Sequence, residues 1–168
     1  MNKSTKKYLL PLLILFILIS GCAPVISRPV LNEVDKRLTF AEIKKDPSAH
    51  GKAIALLGGK VIKVTNIKDG TLVEVLQSPL ARNLKPLPEK RSEGRFLIHF
   101  KGFIDPLVYM DKLITVAGQL TDPLTRPINR RDYTYPVIKV KEHYLWRMGH
   151  DNSPPVSFGI GLGLSGGF

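Results

Sequence analysis

KVIKVTNIKDGTLVEVL, residues 60–76, reads as two short strands joined by a tight turn. Asp69-Gly70 is a strong local hairpin signal, and the flanking runs are rich in Val and Ile, which favour a pleated, half-buried surface. Ile62, Val64, Val73 and Val75 are predicted to share one buried face. Just upstream, residues 53–57 form an apolar run that Gly58-Gly59 interrupts, as a bulge or a sharply coiled strand does, and residues 61–67 continue it. The hairpin therefore sets a β reading for what surrounds it.

Downstream, residues 77–94 hold Pro79, Pro86 and Pro88 with little periodicity and read as a long loop. Strand character returns at 95–100, where Phe96, Ile98 and Phe100 alternate with Arg95, Leu97 and His99. Asp105-Pro106 marks a helix start, with a capping side chain and Pro at the first helical position. A single turn through Tyr109 and Met110 leads to a strand at 113–120. A second loop spans 121–132 with Pro123 and Pro127, and the last strand covers 133–146, with Ile138, Val140, Tyr144 and Trp146 on one side. Upstream, Thr39 reads as the N-cap of a short helix whose Phe40 and Ile43 sit on the core and which ends at Asp46-Pro47. The sum is a mainly β chain: a small OB-like β-barrel of five to six strands with one or two short helices.

The N-terminus carries a different message. Lys3, Lys6 and Lys7 precede an apolar run from residue 8 to 19, then Ser20, Gly21 and Cys22. That is a signal-peptide pattern: a positive start, a short apolar helix and small residues at the cleavage point. At roughly a dozen residues the run is shorter than the ~20 a permanent spanning helix needs. Ile19-Ser20-Gly21-Cys22 resembles the bacterial lipobox, with Ile in place of the usual Leu. Small residues at 20 and 21 admit the peptidase, and the Cys22 thiol is the nucleophile that takes a diacylglyceryl group. Cys22 is the only cysteine among 168 residues, so lipidation accounts for it and no intramolecular disulfide is possible. Ala23, rather than Asp, follows it, which under the Gram-negative sorting rule for this class points to the outer membrane, periplasmic face.

Four segments follow: a signal peptide at 1–21, a lipid-proximal linker at 22–38 holding Pro24 and Pro29, a β domain at 39–150 and a Pro/Gly-rich tail at 151–168. The net charge of +11 falls to +8 once residues 1–21 leave, since they contain three Lys and no acid. Such a balance favours anionic partners, and export disfavours nucleic acid among them.

With these segments in order, the chain resembles the Slp family of starvation-inducible outer-membrane lipoproteins. The pieces that carry the resemblance are Gly58-Gly59-Lys60-Val61-Ile62, Leu72-Val73-Glu74-Val75 with Ser78-Pro79-Leu80, and Ser92-Glu93-Gly94-Arg95-Phe96-Leu97. They continue through Gly102-Phe103-Ile104-Asp105-Pro106 with Tyr109, then Tyr133-Thr134-Tyr135-Pro136-Val137, and end at Leu145-Trp146. Where the family tends to have Gly-Arg two places after Tyr109, this chain has Asp111-Lys112, and Asp can occupy a tight turn. The resemblance implies location and architecture, those of an outer-membrane lipoprotein, and the first reading of its function is a non-enzymatic part in envelope structure or interaction. A barrel face that binds an oligosaccharide or glycolipid is the alternative. Its partners would be the membrane, through the anchor, the lipoprotein processing and sorting machinery, and anionic lipid or glycolipid.

Other candidate residues have plainer explanations beside the functional ones. Arg82, Lys85, Lys90, Arg91 and Arg95, with Arg126, Arg130 and Arg131, fall in or beside the two loops; they read as the charge of solvated loops or as contacts for anionic head groups. Tyr133, Tyr135, Tyr144 and Trp146 form either a stacking platform or cross-strand packing. Glu74 and Glu142 read as outward, solvated carboxylates rather than a facing acid and base. His50, His99, His143 and His150 lack metal-ligand spacing, and no nucleophile elbow, phosphate loop or dinucleotide fingerprint occurs, so neither metal, cofactor nor enzymatic activity is expected.

Overall fold

A computed structural model describes residues 24–147. Its strands are β1 (Ile54–Ile67), β2 (Gly70–Gln77), β3 (Arg95–Phe100), β4 (Leu113–Ile128) and β5 (Arg131–Trp146), with short helices α1 (Arg28–Glu33), α2 (Phe40–Lys45) and α3 (Pro106–Tyr109). β1 is long enough to hold two neighbours. Residues 54–60 pair antiparallel with β4, and residues 59–67 with β2. β2 continues to β3, β3 lies parallel to β5, and β5 returns to β4, so the ring closes in the order β1-β2-β3-β5-β4. Five strands in this closed order, with a helix between β3 and β4, give the OB-like architecture expected from the sequence.

The hairpin quoted above forms, with its two-residue loop at Lys68 and Asp69, one residue ahead of the Asp69-Gly70 signal, and Gly70 opening β2 at φ 136°. Inward side chains such as Val73, Val75, Phe96, Ile98, Ile114 and Ile138 fill the interior. The helices close it toward opposite ends of β3. On α2, Thr39 and Glu42 exchange capping hydrogen bonds, and Phe40 lies 6.1 Å from Phe96. On α3, the Asp105 carboxylate accepts from the Leu107 N–H at 2.9 Å, and Tyr109 reaches the Phe100 ring at 5.8 Å. Asp111, standing where the family tends to have Gly, has φ 63°, a conformation that Asp tolerates better than most side chains.

Two strand faces differ from the simple alternation. In β1, Val61 pairs with Val75 and Lys63 with Glu74, so Ile62 is an extra, bulged residue. The bulge reverses the parity: Val61 and Val64 face the core, and Ile62 is only half-buried. In β5, Val140 pairs with Gly118 and Glu142 with Ala117, which makes Lys141 the extra residue. Ile138 and Val140 point inward as predicted, but beyond the bulge His143 and Leu145 do so, and Tyr144 and Trp146 turn out.

The segment expected as a loop at 121–132 is instead the outer part of the β4–β5 hairpin, turning at Asn129-Arg130 with Asn129 at φ 56°. Its prolines are tolerated because the register shifts between Thr121 and Leu124, next to Pro123, and because Pro127 lies in a two-stranded arm beyond the ring. Part of the stretch read as a linker is also folded. Ile26 is fully buried, Ser27 N–H donates to Glu142 Oε2 at 2.9 Å, Glu33 of α1 pairs with Lys141, and Asp35 N–H donates to the Ile54 carbonyl.

His143 is buried, with its ring edge-on to Phe100 at 4.9 Å and its Nε2 2.9 Å from the Tyr109 hydroxyl. Burial lowers its pKa from 6.5 to about 4, and the same desolvation raises that of Tyr109. As pH falls below 6.5 the unfolded chain protonates this imidazole while the folded chain does not. Stability is therefore full above that pH and drops by about 3 kcal/mol by the time pH reaches the folded value. Urea denaturation across this window is expected to show that slope, and His143→Gln, although less stable throughout, is expected to lose most of it.

Candidate functional site

Across the outside of the ring, Lys63, Glu74, Leu97 and Val137 stand in one row, each paired with the next on β1, β2, β3 and β5. The β4–β5 arm bends over this row. Lys63, Thr65, Leu72, Glu74 and Leu97 from the sheet, with Arg126, Pro127 and Tyr135 from the arm, line a cleft of about 70 Å³. Leu97, Tyr135 and Val137 are buried there as a second apolar cluster, flanked by Leu124, Ile128 and Tyr133. An outer face of a barrel that carries buried apolar side chains needs a cover, and the arm is that cover.

Its polar groups hold the arm in place. Glu74 accepts from Arg95 Nη1 at 2.8 Å and from the Tyr135 hydroxyl at 3.1 Å. The Tyr133 hydroxyl accepts from the Arg95 backbone N–H at 2.8 Å and donates to the Arg95 carbonyl at 3.2 Å. The carboxylate raises the pKa of Arg95, and burial, then the carboxylate, raises that of Tyr135. Because the Arg95 side chain is 37% exposed, its ion pair is screened and contributes at most about 1 kcal/mol. The tyrosine bond is the better-shielded one. A double-mutant cycle of Tyr135→Phe and Glu74→Ala is expected to return a coupling of about 1 kcal/mol by chemical denaturation.

Glu74 and Glu142 thus do not face one another. Glu142, on β5 opposite Ala117, holds the backbone of Ser27, and each carboxylate is engaged structurally. A volume of 70 Å³ has room for about two waters and is well short of the ~300 Å³ at which small-molecule pockets begin. Among the described residues a second depression, of about 740 Å³ and bounded by Asp35, Arg37, Glu42, Asp46 and His50, is open to solvent and of mixed charge.

Arg82, Lys85, Lys90, Arg91, Arg126, Arg130 and Arg131 are all exposed, but they stand on two parts of the surface. The loop after β2 folds back over β1 and β4: Ser78 N–H donates to the Gly58 carbonyl, and Thr115 Oγ1 to the Leu84 carbonyl. This sets Lys85 5.8 Å from the Trp146 ring. Arg126, Arg130 and Arg131 lie on the arm, at the other end of β5. The four aromatics divide in the same way into two edge-to-face pairs, Tyr133 with Tyr135 and Tyr144 with Trp146, each at 4.7 Å, so they form no single platform. Ile19, Ser20, Gly21, Cys22, His150 and the tail lie outside the described residues. Among the described residues, no group of three or more His, Cys, Asp or Glu gathers, and no helix is long and apolar enough to cross a membrane.

Sequence reasoning missed Lys63, Thr65, Leu72 and Tyr135 as neighbours. The alternation of Tyr133, Tyr135 and Val137 opposite Ile138 was the one signal that this end of β5 has a second buried face.

A family model described as the outer membrane lipoprotein Slp family matches residues 19–159, from the first residue of the lipobox-like motif to beyond the last strand. The chain belongs to that family. As an Slp-family member it is an outer-membrane lipoprotein, joined to the membrane by a lipid anchor. It is 36% identical over 112 residues to an uncharacterized protein of Haemophilus influenzae, covering 66% of this chain and 61% of that one. It is 30% identical over 117 residues to outer membrane protein Slp of Escherichia coli K12, covering 70% and 62%. Uncharacterized lipoprotein YeaY of the same organism is 26% identical over 132 residues, covering 79% and 68%. The chain thus spans about three-fifths of the length of the first two of these curated relatives. No solved structure matches.

Proposed function

We propose that Cys22 is the lipid-bearing residue of this Slp-family chain, and that the barrel stands on the periplasmic face of the outer membrane in a non-enzymatic, structural or interaction role. In this reading residues 1–21 are removed, and acyl chains on Cys22 hold the rest. The observation that carries it is the motif Ile19-Ser20-Gly21-Cys22, where the family match begins, set only four residues before fully buried Ile26. The tether is thus far shorter than the 22–38 linker. Four residues reach at most about 14 Å, which keeps the domain at the bilayer surface. Ala23 supports outer-membrane sorting, and the engagement of Glu74, Glu142 and His143 in structural bonds supports a role without catalysis. We also keep residues 151–168 as a separate tail.

Mass spectrometry of the mature N-terminus, combined with separation of inner and outer membranes, tests this. Expected is a chain beginning at an acylated Cys22 in the outer-membrane fraction. A chain starting at Met1, or an unmodified thiol at residue 22, refutes it.

A further inference from the structure

We propose that the apolar knob formed by α3 and the loop before it enters the phospholipid surface to which the anchor ties the domain. Phe103, Leu107, Val108 and Met110 are 76%, 90%, 50% and 37% exposed, four large apolar side chains within eight residues. Among the other described residues only Ile67 and Leu76 are comparably exposed. Such a concentration on a small soluble domain marks an interaction surface.

The knob is tied to the barrel from behind. Thr71 Oγ1 donates to the Gly102 carbonyl and accepts from the Ile104 N–H. Tyr109 is fixed by His143, and Val61 exchanges backbone hydrogen bonds with Asp111 and Lys112. Apolar side chains that point outward while Tyr109 points inward have no place in this chain's own core.

Charge and tether select the occupant. Lys101, exposed, and Lys112, half-buried, bracket the knob, as cations do on segments that lie in a membrane interface beside anionic head groups. Its two acids are already engaged, Asp105 in capping Leu107 and Asp111 with Lys60 at 2.9 Å. The chain enters the fold against the second half of β5, the strand that also holds Tyr109. Ser27 is held by Glu142, and the next residue on β5, His143, holds Tyr109. With only residues 23–25 between Cys22 and buried Ile26, anchor and knob reach the same surface. Anchoring through Cys22, on which this rests, brings the lipid, and the knob fixes how the barrel stands on it.

The test uses the full lipidated chain in vesicles of phosphatidylethanolamine and phosphatidylglycerol with brominated acyl chains. Leu107→Trp is expected to give a probe quenched roughly twofold or more, because apolar interfacial side chains sit ~5–10 Å into the boundary. Arg130→Trp, at the tip of the arm, is expected to match the slight quenching of the wild type, whose only Trp is Trp146. Equal quenching at the two positions, on a chain that floats with the vesicles, overturns the knob and leaves the anchor standing. A chain that neither floats nor carries acyl mass defeats the anchor. A dimer that Leu107→Asp dissociates, with the indole of Leu107→Trp unquenched, assigns the knob to a second copy and also overturns the proposal.

Discussion

Cys22→Ala is expected to remove the protein from the outer-membrane fraction altogether. The thiol is the only nucleophile of its kind in the chain, so no other residue can take its place in forming the thioether to diacylglycerol. Each buried methylene contributes about 0.8 kcal/mol, which makes one acyl chain marginal and two or more a lasting anchor. Losing them all leaves, toward the outer membrane, only the exposed knob and the lysines beside it, a weak and reversible contact, while an uncleaved apolar run at 8–19 would hold the precursor at the membrane it crosses. The variant also lacks the nucleophile that precedes cleavage, so its mass is expected to retain residues 1–21. Fractionation followed by mass spectrometry reads both effects together. A variant found in the outer membrane at the wild-type level would show that something other than Cys22 holds the chain there.

The contrast between Cys22 and the site under the arm shows what a sequence displays. The lipobox-like motif lies within four adjacent residues, as does the Thr39–Glu42 capping box, and the Asp105-Pro106 helix start within two; each is complete within one turn of chain. The strands at 60–76 and 95–100 were legible for a similar reason, since alternation over a few residues reports a buried face. Ile62 and Lys141 were not. Whether a residue bulges depends on what lies across from it, and one extra residue exchanges the two faces for everything beyond. That is why His143 occupies the core where Tyr144 was expected. Pro123 and Pro127 misled in another way. They forbid a central strand but not an arm with a register shift and free outer edges, so 121–132 looked like a loop. The joining of Glu74 to Arg95 and Tyr135, 21 and 61 residues away, has no local trace at all.

Gly59→Ala is expected to destabilise the fold by about 3 kcal/mol or more, a large share of the ~5–15 kcal/mol that holds a domain of this size. Gly59 is where β1 has both its neighbours at once, pairing with Gln77 of β2 and Ile114 of β4. A methyl group there would press into the Leu76 carbonyl oxygen and lie 2.8 and 2.9 Å from the Leu76 carbonyl carbon and Gln77 Cα. All three are backbone atoms of a paired strand, so no side chain can rotate away, and relief requires β2 to move off β1. The ring closes only because β1 can serve β4 with one half and β2 with the other. Strain at the junction therefore acts on closure itself rather than on a single contact. Gly102→Ala, with nothing within 4 Å of the added methyl, is the matched control and is expected to unfold with the wild type. Urea midpoints of the three proteins decide it: if Gly59→Ala matches Gly102→Ala, the close approach of β1 to β2 is not what the glycine is there to permit.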